Sequence, residues 1–411
     1  MPYVCRTEYN TIKAVLEAIA GYDDRLRALE TVINKKQQIL EDKETARELF
    51  GSNIGMSASR AETFYNCPFQ YFCKYGLKVY PRKKVAVNNL IRGSAVHHVL
   101  EYIVREHKTG IVTLTKDEQA KLVEKYLNHY LEENNITEIS KDPRFKHEFK
   151  DICRQVLSVL ERMIKEFRVS DFVPEKFESD VVYELKVPDG TTLKLRGNID
   201  RVDTYEKDGN TYIRVVDYKT YVKEFRLDHV LAGLNMQMLI YLFAEREADD
   251  SVTPAGILYY NAGDASFSAK RRDISEEEKL AKRIEKKQSS GLFVNDPSVL
   301  NAMENDGQER FYKFFKGGVP LDNIVSAEEM GKVKEMVDDN LITMALALHD
   351  GFISVTPVME ETDKTKPITG CQYCDYANVC GFEGESYLVR DISKKLTNAE
   401  VFERLDGDAD D

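Results

Sequence analysis

Residues 180–221 form a stretch rich in β-branched side chains, and this stretch constrains the fold of the chain most strongly. Two turn signals interrupt it, Pro188-Asp189-Gly190 and Asp208-Gly209. The pattern predicts three antiparallel strands. Asp-Gly is typical of a two-residue hairpin loop, in which residues equidistant from the turn face each other. The predicted register therefore places Asp200 directly opposite Asp217.

Two carboxylates that face each other across a strand pair repel, so a structural role does not explain them. A divalent cation removes the conflict, and hard oxygen ligands suit Mg²⁺ or Mn²⁺. Lys219 lies two residues after Asp217 and shares its face, because strand side chains alternate. Asp203 lies an odd number of positions from Asp200 and is predicted to point away from the metal. A three-residue loop would instead turn Asp200 to the other face.

Two acids and a lysine around a metal form an arrangement that hydrolyses phosphodiester bonds. The metal polarises a phosphoryl oxygen and lowers the pKa of a bound water. The amine of Lys219 can orient that water and offset charge on the phosphorus. Because an Asp-x-Lys tripeptide also occurs by chance in many strands, the facing position of Asp200 is what favours a nuclease.

Three motifs resemble the successive motifs of the RecB-like branch of the PD-(D/E)XK nucleases: "GNIDRVD", "VVDYKT" and "QMLIY". The branch also has an upstream G-x-x-x-H motif, which Gly93 and His97 supply here. The resemblance implies that His97 is a metal ligand beside Asp200 and Asp217. It also implies that Gln237 and Tyr241 contact DNA or the active site, although Tyr241 could equally belong to an ordinary buried helix.

The same resemblance implies an α/β (α+β) fold. Its restriction-endonuclease-like core has a mixed central sheet flanked by helices, with large helical insertions. The spacing of apolar residues predicts helical segments at 9–50, 59–75, 94–106, 116–134, 144–168, 228–247, 275–288 and 325–349. A further strand is predicted at 255–260. Ser59 and Glu62 are interpreted as a capping pair for the second helix.

Three cysteines near the C-terminus, Cys371, Cys374 and Cys380, predict a metal site. Seven cysteines are too few for a disulfide scaffold in a chain of 411 residues, and an odd number cannot all pair. The N-terminus lacks the apolar core of a signal peptide, and no run of about eighteen apolar residues occurs. We therefore expect a soluble cytoplasmic protein that has no membrane contact.

The fourth thiolate is expected upstream, in a segment that resembles the start of the nuclease domain in the B subunits of AddAB-type helicase-nucleases. One subgroup of RecB-like nucleases binds an iron-sulfur cluster through three C-terminal cysteines and one upstream cysteine. By that resemblance the upstream ligand is Cys67, before Pro68, with Cys73 as the alternative. Four thiolates fit a 4Fe-4S cluster or structural zinc, and the resemblance implies the cluster, which would join the N- and C-terminal parts.

A DNA path is expected on a local basic segment, because the net charge of −12 argues against general nucleic-acid binding. Tyr71, Phe72, Tyr75 and Tyr80 interleave there with Lys74, Lys78, Arg82, Lys83 and Lys84. Cations beside rings are typical of a single-strand groove. A solvated basic surface is the alternative.

The predicted organisation is a helical lead-in (1–56), a nuclease domain with an iron-sulfur cluster (57–390) and an acidic, partly disordered tail (391–411). No phosphate-loop motif occurs, so we expect no ATPase and a piece of a longer subunit. The resemblance implies a magnesium-dependent DNA exonuclease with an AddA-type helicase-nuclease subunit as partner, acting on double-strand breaks for recombinational repair. The alternatives are a non-catalytic DNA-end clamp and a stand-alone nuclease of CRISPR or replication type.

Overall fold

The computed structural model describes residues 38–81, 89–134, 143–221, 223–263, 288–308, 311–312, 314–316, 319–361, 368–384 and 388–407. This part of the chain contains eleven α-helices: α1 (Lys43–Phe50), α2 (Ala58–Asn66), α3 (Pro68–Tyr71), α4 (Asn89–His107), α5 (Lys116–Glu133), α6 (Pro143–Phe167), α7 (Leu227–Leu231), α8 (Gln237–Ala248), α9 (Pro297–Met303), α10 (Ala327–His349) and α11 (Asn398–Gly407). A π-helical turn, Phe72–Gly76, continues α3. Among these described helices, none is long and apolar enough to cross a membrane.

The described residues also form twelve strands, several of them only two residues long. They are β1 (Ile54–Ser57), β2 (Val173–Lys186), β3 (Thr192–Lys207), β4 (Asn210–Lys219), β5 (Val252–Asn261), β6 (Ser290–Val294), β7 (Phe315–Lys316), β8 (Val319–Pro320), β9 (Ile324–Val325), β10 (Val358–Glu360), β11 (Ile368–Thr369) and β12 (Arg390–Asp391). Strands β2, β3 and β4 are the three predicted antiparallel strands, and they are confirmed.

The central sheet has seven strands and is mixed, as the resemblance implied. One edge of the long strand β3 pairs with β2, and its other edge is shared by β1, which is parallel, and β4, which is antiparallel. Beyond β4 the sheet continues through β5 and β6 to β9. Helices cover both faces, so the α/β fold class is confirmed.

The Asp208-Gly209 turn is the predicted two-residue hairpin loop, because Lys207 pairs with Asn210 across it. Both turn residues adopt left-handed conformations, with φ of 51° at Asp208 and 80° at Gly209. This is the geometry that lets a two-residue loop follow the twist of the strands. The register runs without a slip from this turn back to Arg201 opposite Val216.

Two hydrophobic cores sandwich the sheet. One core packs α2, α8 and α10 against the face that carries Leu195 and Val215. The other packs α4, α5 and α6 against the face that carries Val216 and Tyr218. Strand β4 therefore contributes residues to both cores, which explains why its sequence is largely apolar.

Four predicted helices are confirmed with small shifts of their ends, as α4, α5, α6 and α10, and the strand predicted at 255–260 is β5. Of the helical pattern predicted over 9–50, only Lys43–Phe50 is helical among the described residues, as α1; residues 38–42 are not helical, and Ile39 forms a β-bridge with Phe352 instead. The first part of that pattern, to residue 37, and residues 275–287 lie outside the described residues.

The single helix predicted over 59–75 was wrong. Helix α2 starts at Ala58 and stops at Asn66, because Pro68 has no N–H to continue it, and α3 begins there. Ser59 lies inside α2 rather than at its cap. Glu62 does not close a capping box; it accepts a hydrogen bond from Gln237 N at 3.3 Å, at the start of α8.

The helix predicted over 228–247 is two helices, α7 and α8. Gly233 (φ 79°) and Asn235 (φ 56°) hold left-handed conformations between them, which end α7. Within the tail that was predicted to be partly disordered (391–411), residues 398–407 form α11, with Val401 and Phe402 buried. The helix forms despite the acidic composition because its apolar residues share one face, which packs on the core.

Candidate nuclease site

Asp200 lies on β3 in the gap between its pairing with β1 and its pairing with β4. The β1–β3 ladder ends at Arg196 and the β3–β4 ladder begins at Arg201, so 197–200 have no strand partner on this edge of the described sheet. The predicted register is present, but the ladder ends one residue short of pairing Asp200 with Asp217. Instead Tyr218 N donates to Asp200 Oδ2 at 2.9 Å. The two carboxylates therefore stand at the point where β3 and β4 diverge.

Asp217 is the buried acid of the site, with 7% of its surface exposed. Lys219 Nζ lies 2.6 Å from Asp217 Oδ2, as expected for residues two apart on one strand face. Burial, and next the charge of Asp200, raise the pKa of Asp217. The lysine opposes this rise. Asp217 is thus a desolvated carboxylate, and any positive charge added nearby would stabilise its ionised form.

His97 reaches the same place from α4. His97 Nδ1 lies 3.1 Å from Asp200 Oδ2, and its ring meets Tyr218 edge-on. Burial lowers the pKa of His97, but the hydrogen bond to Asp200 and the charges of Asp200 and Asp217 outweigh it and raise the pKa. The structure thus holds the His97 imidazole against Asp200, and the charges of both carboxylates act on it.

Gln237 and Tyr241 share one face of α8, and Gln237 Nε2 donates to Tyr241 OH at 3.1 Å. The charges of Asp217, Asp200 and Lys219 all act on the Tyr241 hydroxyl, whose pKa burial raises. Tyr241 is buried, so both interpretations of it apply: it belongs to the core and it borders the site. Gln237 lies with it at the start of α8.

Gly197 explains why the "GNID" motif begins with glycine. A Cβ built at this position would lie 2.2 Å from Tyr241 Cε1, well inside contact distance. Only glycine lets the Tyr241 ring cover the stretch of β3 between its β1 and β4 pairings. The close approach therefore couples α8 to the strand that carries Asp200.

Gly197→Ala should destabilise the protein by about 1–3 kcal/mol, because the added methyl forces the Tyr241 ring to move. Equilibrium urea unfolding measures this. In a Tyr241→Ala background the same substitution should cost much less, which a double-mutant cycle detects. Gly55→Ala on β1, whose Cβ would meet nothing within 4 Å, is the matched control. Equal costs in the two backgrounds would show that the ring contact is unimportant.

Two acidic residues of the site were missed from the sequence. Glu178 lies on β2 level with Asp200, at an interruption of the β2–β3 ladder, and has a φ of 45°. Glu178 is open to solvent on one side, and its partial burial, then the charges of Asp200 and Glu101, raise its pKa to about 7. Glu62 lies on α2, and its charge opposes the lowering of the Lys223 pKa by burial. Neither residue lies in one of the motifs used to predict the site. Only the pairing of β2 with β3, which puts Glu178 level with Asp200, could have indicated Glu178.

Comparison with known proteins bears on the identity of this site. A family model for the PD-(D/E)XK nuclease superfamily matches residues 55–381, which include His97, Asp200, Asp217 and Lys219. The chain belongs to the PD-(D/E)XK nuclease superfamily. The place of the acids and the lysine at diverging strands of a mixed sheet agrees with that membership.

Curated relatives of this PD-(D/E)XK chain are named as the B subunit of an ATP-dependent helicase/deoxyribonuclease. The protein from Clostridium tetani is 30% identical over 367 residues, which are 83% of this chain and 31% of the relative. The protein from Thermoanaerobacter sp. (strain X514) is 28% identical over 378 residues, with the same coverage. The Clostridium botulinum (strain Langeland) protein is 30% identical over 364 residues, which are 82% of this chain and 31% of the relative. The chain spans about a third of the length of these relatives.

A buried ionic network lies on the other face of the PD-(D/E)XK sheet and contains Asp203. Arg201 Nε and Arg214 Nε lie 2.7 and 2.9 Å from its two oxygens, and all three side chains are fully buried. Tyr218 and Tyr312 accept from the two arginines, and Glu166 lies 3.4 Å from Arg214. Asp203 thus points away from the candidate metal ligands, as predicted.

The cysteines of this PD-(D/E)XK chain form a second cluster. Burial and then the thiols of Cys374, Cys67 and Cys380 raise the pKa of Cys73 to about 11. Cys371 and Cys374 lie in one turn, with Cys374 N donating to Cys371 O at 3.1 Å. Both upstream candidates, Cys67 and Cys73, are buried beside the C-terminal segment.

The basic segment predicted to line a single-strand groove is described only as far as residue 81. Tyr71 is buried in the core against Phe64 and Tyr75, so its ring cannot stack on a base. Lys74 lies over the Tyr75 ring at 5.2 Å, whereas Lys78 and Tyr80 are exposed. Arg82, Lys83 and Lys84 lie outside the described residues. Tyr71 therefore serves the helix packing, whereas Lys78 and Tyr80 remain candidates for the predicted DNA path.

Proposed function

We propose that this chain is the nuclease domain of a helicase-nuclease subunit and that it hydrolyses DNA phosphodiester bonds as a magnesium-dependent exonuclease. The observation that carries the proposal is the convergence of His97, Asp200, Asp217 and Lys219 where β3 and β4 diverge. Its membership of a nuclease superfamily supports the same reaction class.

The donor set fits a hard divalent cation. His97, Asp200 and Asp217 would hold Mg²⁺ or Mn²⁺, and the like charges of the two acids, one of them desolvated, favour a cation there. Such an ion supplies Lewis-acid activation of the phosphoryl group and of a water. The same donors without an ion leave Asp200 and Asp217 repelling each other, which has no structural benefit.

Lys219 has the position of a group that acts on the scissile phosphate. Its Nζ is held by Asp217, and burial lowers the pKa of Lys219 less than the neighbouring acids raise it, so the amine stays charged. It can therefore offset charge on phosphorus and hold a water in line. A cavity of about 390 Å³ opens beside it, also lined by Lys223, whose Nζ lies 4.5 Å from the Tyr259 ring centroid.

Partners and pathway rest on the relatives. Their name, the B subunit of a helicase/deoxyribonuclease, supports DNA as the substrate and an AddA-type subunit as the partner. Because the chain matches only 31% of each relative, we place it as the nuclease part of such a subunit, acting on unwound ends of double-strand breaks during recombinational repair.

The test is degradation of end-labelled single-stranded DNA by the chain, alone and with its partner subunit. Cleavage should saturate as Mg²⁺ is added, stop with EDTA and fall at least about 10²-fold in Lys219→Ala. The matched control is Lys194→Ala, which removes a partly exposed lysine from β3. DNA binding with no cleavage at any concentration of Mg²⁺ or Mn²⁺ would instead identify a non-catalytic DNA-end clamp.

For the cysteine cluster we propose a 4Fe-4S site built by Cys67, Cys371, Cys374 and Cys380. The soft donor set fits iron-sulfur or zinc. Cys67 is favoured over Cys73 because it stands directly before Pro68-Phe69, the position of the upstream cluster ligand in the family that the segment resembles. Burial raises the pKa of the Cys67 thiol, and backbone N–H groups nearby oppose this rise. The ligands would fasten α3 to a segment about three hundred residues away, and closing so long a loop stabilises the fold.

Anaerobically purified protein should be brown and contain iron and sulfide in equal amounts. Cys374→Ser and Cys67→Ser should lose the cluster and several degrees of Tm, because a site formed only on folding contributes directly to stability. Cys153→Ser, on α6 away from the cluster, should keep both and is the control. Iron loss in Cys73→Ser but not Cys67→Ser would reverse the assignment, and a colourless protein with one zinc would refute iron-sulfur.

A further inference from the structure

A second cluster of metal-ligating side chains lies between α4 and α5, apart from the motifs used above. His98 projects from α4, and His129 and Glu133 project from α5 at positions i and i+4. One ligand atom from each of the three lies within 4.8 Å of the other two. His98 Nε2 and His129 Nδ1 are 3.0 Å apart, and Glu133 oxygens lie 3.8 Å from His98 Nδ1 and 3.5 Å from His129 Nε2.

Aromatic packing holds these imidazoles in place. The His98 ring lies against Tyr102 and Tyr130, with centroids 4.5 and 5.3 Å away, and His129 stacks on it at 5.2 Å. His98 is largely buried, whereas His129 and Glu133 are 39% and 49% exposed. The cluster is thus preorganised on its inner side and open to ions from solvent on its outer side.

The donor set selects a particular class of ion. Two imidazole nitrogens and one carboxylate oxygen suit Zn²⁺ and similar transition ions, whereas Mg²⁺ favours a ligand set in which oxygen atoms predominate. Ligands roughly 2.0–2.1 Å from a tetrahedral zinc stand about 3.3 Å apart. The separations of 3.0, 3.5 and 3.8 Å join different ring nitrogens and carboxylate oxygens of these side chains. With one ligand atom taken from each residue, the three atoms lie within 4.8 Å of one another, so side-chain rotations that shorten these distances would complete the geometry.

We propose that His98, His129 and Glu133 bind one Zn²⁺ ion, which joins α4 to α5. Three protein ligands leave one tetrahedral position for water. The ion would fix the helix that carries His97, yet it is a separate site with its own ligands. The proposal does not depend on the nuclease reaction. Its simplest competitor is a pair of hydrogen-bonded histidines that needs no ion.

Zinc content after equilibrium dialysis of the full chain, with excess Mg²⁺ present, tests the proposal. Zinc taken up by the cysteines is common to all variants, so the comparison isolates this cluster. Wild type should hold one zinc per chain more than His129→Ala, and Glu133→Gln should bind that zinc at least about tenfold more weakly. His147→Ala removes an exposed histidine from another helical histidine–carboxylate pair, His147–Asp151, and should match wild type.

Zinc should also raise the Tm of wild type more than that of His129→Ala, since binding to the folded state alone stabilises it. Equal zinc content and equal Tm response in the two proteins would overturn the proposal and leave only the hydrogen-bonded pair. If His129→Ala fails to fold, the half-exposed Glu133→Gln decides the matter by the same two measurements.

Discussion

Asp217→Asn should reduce magnesium-dependent cleavage of single-stranded DNA by about 10³-fold or more, which is on the order of 4 kcal/mol of transition-state stabilisation. The substitution keeps the shape of the side chain and an acceptor for Lys219, but it removes the buried charge that would hold the cation. Steady-state cleavage of end-labelled DNA at saturating Mg²⁺ measures the loss.

Stability should respond in the opposite direction. Burial and Asp200 already oppose ionisation of Asp217, so the neutral amide removes a repulsion, and the Tm without metal should stay constant or rise. Asp180→Asn on the exposed side of β2 is the matched control and should change neither property. An unchanged cleavage rate in Asp217→Asn, with the fold intact, would remove this residue from the catalytic site. Retained DNA binding in the variant would show that the loss concerns chemistry.

Much of this site follows from local sequence, for a physical reason. Asp208-Gly209 fixes a two-residue loop, and a hairpin loop sets the register of every residue that follows. Asp200 therefore comes level with Asp217, and the alternation of a strand brings Lys219 to the same face. His97 came from motif resemblance, because nothing local to α4 indicates which strand it will meet.

The parts that sequence could not supply depend on how elements meet. The divergence of β3 from β4 arises because β1 and β4 share one edge of β3, and this pairing is not encoded near Asp200. The split between α7 and α8 and the burial of Tyr71 depend likewise on tertiary packing. The buried arginines are the clearest case, since Arg in a strand ordinarily indicates an exposed side chain.

Asp203→Ala should destabilise the protein by about 3–5 kcal/mol, the largest stability effect expected of any single substitution considered for this sheet. Asp203 is the shared partner of Arg201 and Arg214, which are fully buried. Burial alone would raise the pKa of Asp203, but the two guanidinium groups outweigh it and lower the pKa. Without this carboxylate two buried cations share Glu166 and two tyrosine hydroxyls, which cannot neutralise both. Urea unfolding at neutral pH measures the loss.

The control is Glu184→Ala, which breaks an exposed ion pair with Lys194 on the same β-ribbon and should cost about 1 kcal/mol or less. Equal costs for the two substitutions would mean that the buried network adds little. A combined replacement, Arg201→Met with Asp203→Leu, Arg214→Met and Glu166→Gln, separates the cost of stranded charge from the value of the network, because it removes every charged partner together. It should be far less destabilising than Asp203→Ala. Since Arg201 directly follows Asp200 on β3, any loss of cleavage in that stable quadruple variant would show that the network positions the Asp200 carboxylate, and unchanged cleavage would restrict the role of the network to stability.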